Sequence, residues 1–135
     1  MYELHVACHC NAIQGKITSE IKAILNCHCN LCRSLSGSAF NSYVVIAEDE
    51  LEYIQGKDNI ATYSLRDSQG KKHFCKHCGT PLYNTNPKYG PVKIVYLGSI
   101  SQNDKLIPNK NIYCNYQLPW LKDLFNRDNI NEGVK

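Results

Sequence analysis

The sequence has no apolar run long enough to cross a bilayer. Its longest, Val44–Ala47 with Tyr43 before it, falls far short of the roughly 20 residues a spanning helix needs. Low-complexity segments, linkers and composition breaks are missing, which argues against a chain divided into separate domains. The opening Met1-Tyr2-Glu3-Leu4-His5 has neither the basic region nor the apolar stretch of a secretory signal, so a cytoplasmic setting is expected. Charge of one sign is also scarce: 15 basic against 12 acidic residues leave a formal +3, too mild to argue for a nucleic-acid partner. Cysteine, at eight in 135 residues, stays below the density of a miniature disulfide scaffold. A chain of this length buries roughly two-thirds of its surface and needs no staples merely to fold. In a cytoplasmic protein eight cysteines therefore read as metal ligands or reactive thiols.

What remains is mostly strand-like. Helical periodicity is scarce, and the pattern predicts a mainly β protein with few short helices. Val92, Ile94 and Tyr96 alternate with Lys93, Val95 and Leu97 in a β-branched stretch that suits a well-buried strand. Tyr43–Ile46, Ile13–Thr18 and Ile21–Leu25 are further strands. Leu51–Ile54 and Ile60–Tyr63 flank Gly56-Lys57-Asp58-Asn59, which reads as a hairpin connection. Asp67-Ser68-Gln69-Gly70 is a second turn, leading into a short strand through Phe74. One helical turn is predicted near Leu31–Leu35 and a short helix around Trp120–Phe125, after Pro119. A single domain is expected over residues 1–125, with a polar tail over 126–135 that frays.

Seven of the eight cysteines fall into three groups: Cys8 and Cys10; Cys27, Cys29 and Cys32; Cys75 and Cys78. Cys-x-Cys and Cys-x-x-Cys turns each aim two thiolates at one point but leave a tetrahedron half built. The run Cys27-His28-Cys29-Asn30-Leu31-Cys32 can supply three ligands by itself, leaving Cys8 and Cys10 to meet Cys75 and Cys78. Four thiolates with no open position describe a structural zinc; three with one open describe a catalytic zinc. Two zinc ions per chain follow, the second more labile. Two other arrangements stay open. Cys75-Lys76-His77-Cys78 before Gly79 can be a redox motif, although no thioredoxin-like pattern surrounds it. All seven cysteines can also serve structural sites, with His9, His28 or His77 nearby. Cys114, alone, reads as a small residue in a packed strand.

The order Cys8-His9-Cys10, then Cys27–Arg33 with Ser36-Gly37, then Phe74–Thr80 with Leu82-Tyr83, resembles the glutathione-dependent formaldehyde-activating enzyme family, whose eukaryotic relatives include the centromere protein V group. Leu97-Gly98-Ser99-Ile100, Pro108 and Trp120 echo it more weakly, so the resemblance runs from about Tyr2 to Trp120. It implies a β-tent-like fold of antiparallel sheets held by zinc. Cys8, Cys10, Cys75 and Cys78 would hold the structural ion, and Cys27, Cys29 and Cys32 the catalytic one. It further implies a carbon–sulfur lyase joining formaldehyde to glutathione or another small thiol. Asn11 stands where the family has glycine after Cys-x-Cys; asparagine tolerates a left-handed backbone, so the turn survives.

Beside the metal ligands, Arg33 offers a planar donor fork for a substrate carboxylate, with Ser36 and Gly37 close behind as substrate-binding candidates. Lys71, Lys72, His73 and Lys76 form a basic patch near the third group, more simply a solvated hairpin than an anion guide. The nine tyrosines are read mostly as packing. A rival from another class is a non-catalytic, zinc-stabilised binding module for protein or nucleic acid. Against nucleic acid, seven thiolates holding two zinc ions would bring the formal +3 down to neutral.

Overall fold

The structure, a computed structural model, describes residues 3–133. Met1 and Tyr2 of the expected domain, and Val134 and Lys135 of the expected tail, lie outside them. In chain order the elements are β1 (Leu4–Ala7), β2 (Gln14–Ile17), β3 (Ala23–Cys27), α1 (Asn30–Ser36), β4 (Asn41–Ala47), β5 (Leu51–Gln55), β6 (Ile60–Ser64), β7 (Lys71–Cys75), β8 (Pro81–Thr85), β9 (Val92–Tyr96) and β10 (Lys110–Ile112). Short 3-10 turns make up most of the remaining regular structure. The architecture is mainly β and tent-like: a three-stranded sheet in the order β1-β2-β5 leans on a seven-stranded sheet in the order β10-β3-β4-β9-β8-β7-β6. All pairings are antiparallel except β10 with β3.

Alternation on β4 explains how the large sheet serves two purposes. Successive side chains point to opposite faces. Val44 and Ile46 enter the core between the sheets, with Leu4, Val6 and Ile17 from the small sheet and Leu82 and Val95 from the large one. Each such aliphatic side chain contributes about 1.5–3 kcal/mol on burial. Tyr43 and Val45 point the other way. Their cross-strand partners Leu25 and Ala23 on β3, and Tyr96 and Ile94 on β9, share that second face.

The four residues Gly56–Asn59 do not close a hairpin. β5 pairs with β2, and β6 with β7, so this segment carries the chain from one sheet to the other. Gly56 has φ 79°, and a Cβ on it would lie 1.8 Å from the carbonyl oxygen of Ala12. The chain is thus pressed onto the first cysteine loop, where a side chain has no room.

The strand expected over Ile21–Leu25 lies two residues later, which makes Cys27 its last residue. The predicted turn at Leu31–Leu35 lies within α1, and Asp67–Gly70 joins β6 to β7, closed by the Leu65 amide on the Gly70 carbonyl at 2.9 Å. The predicted C-terminal helix is instead a 3-10 segment, Pro119–Asn126, broken at Asp123. Cys114 is not in a packed strand: it is exposed in a 3-10 turn, Cys114–Tyr116, just past β10. Tyr113, in the left-handed region at φ 56°, ends the strand before it.

Candidate metal centres and the cavity

The first cluster clasps the two sheets together. Cys8 follows β1 in a loop closed by Cys8 N–H on the Ile13 carbonyl (3.2 Å) and Asn11 N–H on the Cys8 carbonyl (3.0 Å). Asn11 takes the left-handed conformation there, φ 63°, so asparagine does fill the family's glycine position. Cys75 ends β7 in a turn closed by the Gly79 amide on the Cys75 carbonyl at 2.9 Å. The two loops meet where the His9 amide donates to the Thr80 hydroxyl at 3.0 Å.

This meeting gathers the sulfurs of Cys8, Cys10, Cys75 and Cys78 within 4.8 Å of one another. Cys8 and Cys10 are 3.6 Å apart, and Cys10 and Cys75 3.8 Å. Four sulfurs at 2.3 Å from one ion would stand about 3.8 Å apart, so the spacing fits zinc. Amides of Ile13 and His77 donate to the sulfurs of Cys8 (3.3 Å) and Cys75 (3.4 Å). Cys8 and Cys75 are buried, whereas Cys10 and Cys78 reach the surface. The Cys78 thiol is held down to about 5, chiefly by its hydrogen bonds to the Thr80 hydroxyl and amide.

The second cluster joins a strand end to a helix start. Ala23, Leu25 and Cys27 alternate onto the second face of the large sheet. Cys29 caps α1, its sulfur accepting from the Cys32 amide at 3.2 Å. Cys32, one turn in, points back at Cys27, with sulfurs 3.3 Å apart; Cys27 and Cys29 are 3.5 Å apart. Hydrogen bonding from Cys32 comes first among the effects that hold the Cys27 thiol down to about 6, against the opposing pull of burial. Cys32 is pushed up, first by that same bond and then by burial. Three sulfurs within bonding reach of one point again fit zinc, with one position left over.

Cys27, Cys29 and Cys32 line a cavity of about 700 Å³, and none of the other four clustered cysteines does. Its floor is the second face of the large sheet, with Leu25, Tyr43, Val45 and Ile94. Tyr89, Tyr113 and Tyr116 line it too and stay partly exposed, with the hydroxyls of Tyr89 and Tyr113 3.4 Å apart.

Spacing alone did not point to Tyr43. Its hydroxyl donates to the Cys32 sulfur at 3.2 Å and accepts from the side-chain amides of Asn41 (2.8 Å) and Asn84 (3.3 Å). Burial, first, pushes its pKa up and keeps it a neutral donor. The only trace in the sequence is its place two residues after Asn41 on a strand whose β-branched neighbours read as core.

The candidates beyond the cysteines take other places. Arg33 does not line the cavity; its guanidinium donates to the carbonyls of His28 (2.7 Å) and Tyr116 (2.9 Å), tying α1 to the C-terminal segment. Ser36 donates to the Cys32 carbonyl (3.1 Å) and contacts Asn41 Oδ1 (2.5 Å). Gly37, at φ 75°, ends the helix with its amide on the Arg33 carbonyl. These three shape the cluster from behind. His28 is buried with Nε2 3.2 Å from Asn111 Oδ1, and His77 Nε2 lies 3.1 Å from Asn59 Oδ1; neither ring joins a cluster. The basic patch dissolves in part: Lys72 reaches the Leu35 carbonyl, and His73 sits between the hydroxyls of Thr62 (3.1 Å) and Thr85 (3.0 Å). Burial, with Lys71 and Lys93 adding to it, lowers His73 to about 4, so it is neutral.

A tent-like β scaffold with one all-cysteine cluster between its sheets and a second facing a cavity defines the class of this protein. Residues 3–116 match the glutathione-dependent formaldehyde-activating enzyme family, and the chain belongs to that family. A Halomonas elongata protein, provisionally named a glutathione-dependent formaldehyde-activating enzyme, is 24% identical over 91 residues, covering 64% of this chain and 58% of that one. An uncharacterised lyase of Schizosaccharomyces pombe is 31% identical over 83 residues, covering 62% of this chain and 58% of that one. The matches thus span less than two-thirds of either relative. A Rhodobacter sphaeroides protein of known crystal structure shares the fold, with a TM-score of 0.59 at 17% identity over 77% of this chain and 97% of that one. Among the described residues, no helix is long and apolar enough to cross a membrane.

Proposed function

We propose that the protein is a zinc-dependent carbon–sulfur lyase acting on a glutathione-like thiol adduct of formaldehyde or a related small carbonyl. In this reading residues 1–125 form one cytoplasmic zinc domain. Cys8, Cys10, Cys75 and Cys78 hold a structural zinc, and Cys27, Cys29 and Cys32 hold the zinc at which substrate reacts. The supporting observation is that only the three-sulfur cluster opens onto the cavity. Zinc held there would acidify an incoming thiol and polarise a carbonyl oxygen, the two effects that making or breaking the carbon–sulfur bond requires. The chain's own groups hold the ligands in register. Tyr43 donates to the Cys32 sulfur, Asn41 donates to the Cys32 carbonyl (2.9 Å), and Arg33 pins the backbone at His28.

The test is zinc analysis of the purified protein with and without glutathione, beside the rate of S-hydroxymethylglutathione formation. Two zinc ions per chain, falling to one in Cys27→Ser with loss of turnover, are expected. One ion per chain, unchanged by Cys27→Ser, overturns the reading. In the cobalt-substituted protein, glutathione should shift the visible spectrum; a spectrum unmoved by any small thiol favours a non-catalytic binding module instead.

A further inference from the structure

The floor of the cavity does not suit the smallest carbonyl. Formaldehyde brings two heavy atoms, whereas about 700 Å³ is the size of a site for a drug-sized ligand. Glutathione would occupy part of that space, but its peptide is charged and hydrogen-bonding, and the floor offers it little. Leu25, Ile94 and Ile112 pack against the cluster of Cys27, Cys32, Tyr43 and Tyr96, and Val45 extends the same lining along β4. No arginine lines the cavity among the described residues, because the guanidinium of Arg33 is turned to the carbonyls of His28 and Tyr116. The lining cations are Lys71 and Lys88. Register places Lys71 opposite Thr85, on the side of the sheet where β8 ends, whereas Tyr43 beside the sulfurs pairs with Tyr96 at the other end of β9. Lys71 therefore lies towards the far end of the floor, and Lys88 stands over the Tyr89 ring, 5.0 Å from its centroid.

We propose that the carbonyl partner of the thiol is an apolar aldehyde, alkyl or aryl, whose hydrocarbon lies on the floor formed by Leu25, Val45 and Ile94. This rests on the lyase reading and names its substrate class. The reaction balances without an oxidant. The thiol sulfur bonds to the carbonyl carbon, the carbon–oxygen π pair moves to oxygen, and the thiol's proton ends on that oxygen to give a hemithioacetal. Release runs the same steps backwards.

Stable thioether mimics test the floor apart from turnover. Each methylene moved from water into an apolar site is worth about fourfold in affinity. S-hexylglutathione should bind the zinc-loaded protein at least about thirtyfold more tightly than S-methylglutathione by calorimetry. Val45→Thr and Leu25→Gln, each checked for a wild-type thermal transition, should lower the ratio of S-hexylglutathione to S-methylglutathione affinity. Magnetisation-transfer NMR of aldehyde–glutathione exchange should then show greater acceleration for hexanal than for formaldehyde. Equal binding of the two thioethers, with formaldehyde exchange accelerated and hexanal not, overturns this proposal and leaves the lyase reading standing. Acceleration of neither aldehyde overturns the lyase reading and this proposal with it; the untouched formaldehyde exchange distinguishes that failure from the first.

Discussion

The two cysteine clusters use the same ligand atom for opposite ends. In the first, the sulfurs come from two loops almost 70 residues apart, Cys8–Cys10 and Cys75–Cys78, and two of the four are buried in the core between the sheets. Its ion would stand in place of sequence-distant packing, closing the tent at one end. In the second, three sulfurs come from six consecutive residues, Cys27 to Cys32, at the junction of one strand and one short helix. An ion there ties nothing distant together, and the cluster instead presents itself to a cavity. A ligand set gathered from afar stabilises a fold. A ligand set gathered locally leaves the ion free to work.

The largest effect that sharpens this contrast is Cys75→Ser. Structural zinc contributes apparent binding energies of about 10–16 kcal/mol in small zinc domains, and that energy is folding energy. Loss of the cooperative thermal transition, or failure to accumulate soluble protein, is expected. If Cys75→Ser melts no earlier than wild type, the first cluster is not structural. Cys27→Ser should do the reverse: one zinc lost per chain and turnover abolished, with a thermal midpoint within a few degrees of wild type. Differential scanning calorimetry beside metal analysis separates the two variants.

Gly56→Ala comes next, because it loads the first cluster from outside. The added methyl meets the Ala12 carbonyl and must also adopt a left-handed backbone, which alone costs about 1–2 kcal/mol. Destabilisation above about 2 kcal/mol in urea melts is expected, with faster loss of one zinc to a chelator and no change in the cobalt spectrum of the second cluster. Tyr43→Phe should cost about 1–3 kcal/mol, since Asn41 and the Cys32 sulfur both lose a buried partner. It should also shift the cobalt spectrum of the second cluster while sparing the first. The smallest effect belongs to Asn11: Asn11→Gly should be near neutral and Asn11→Ala should cost about 1 kcal/mol, the signature of a left-handed turn.

Much of this was legible in spacing. Close cysteine pairs are local geometry, and so are the β-branched runs behind β4 and β9 and the turn at Asp67–Gly70. What was not legible concerns partners. Gly56–Asn59 looks like a hairpin because its flanks are strands, yet those strands belong to different sheets, and nothing nearby in sequence announces β2 as the partner of β5. Arg33 looks like a ligand for carboxylates because it follows three cysteines. Its guanidinium instead meets the Tyr116 carbonyl, 83 residues on. Cys114, alone in the sequence, reads as a small strand residue, but Tyr113 turns the backbone left-handed before it.

The sequence by itself therefore determined the cysteine groups, the family and the mainly β character, because each depends on residue type at short spacing. Only the tertiary structure decided which cluster faces a cavity and what that cavity is made of. The floor is assembled from alternate residues of β3, β4 and β9, brought side by side by register. A period of two tells each residue which way to point, but not what will point alongside it.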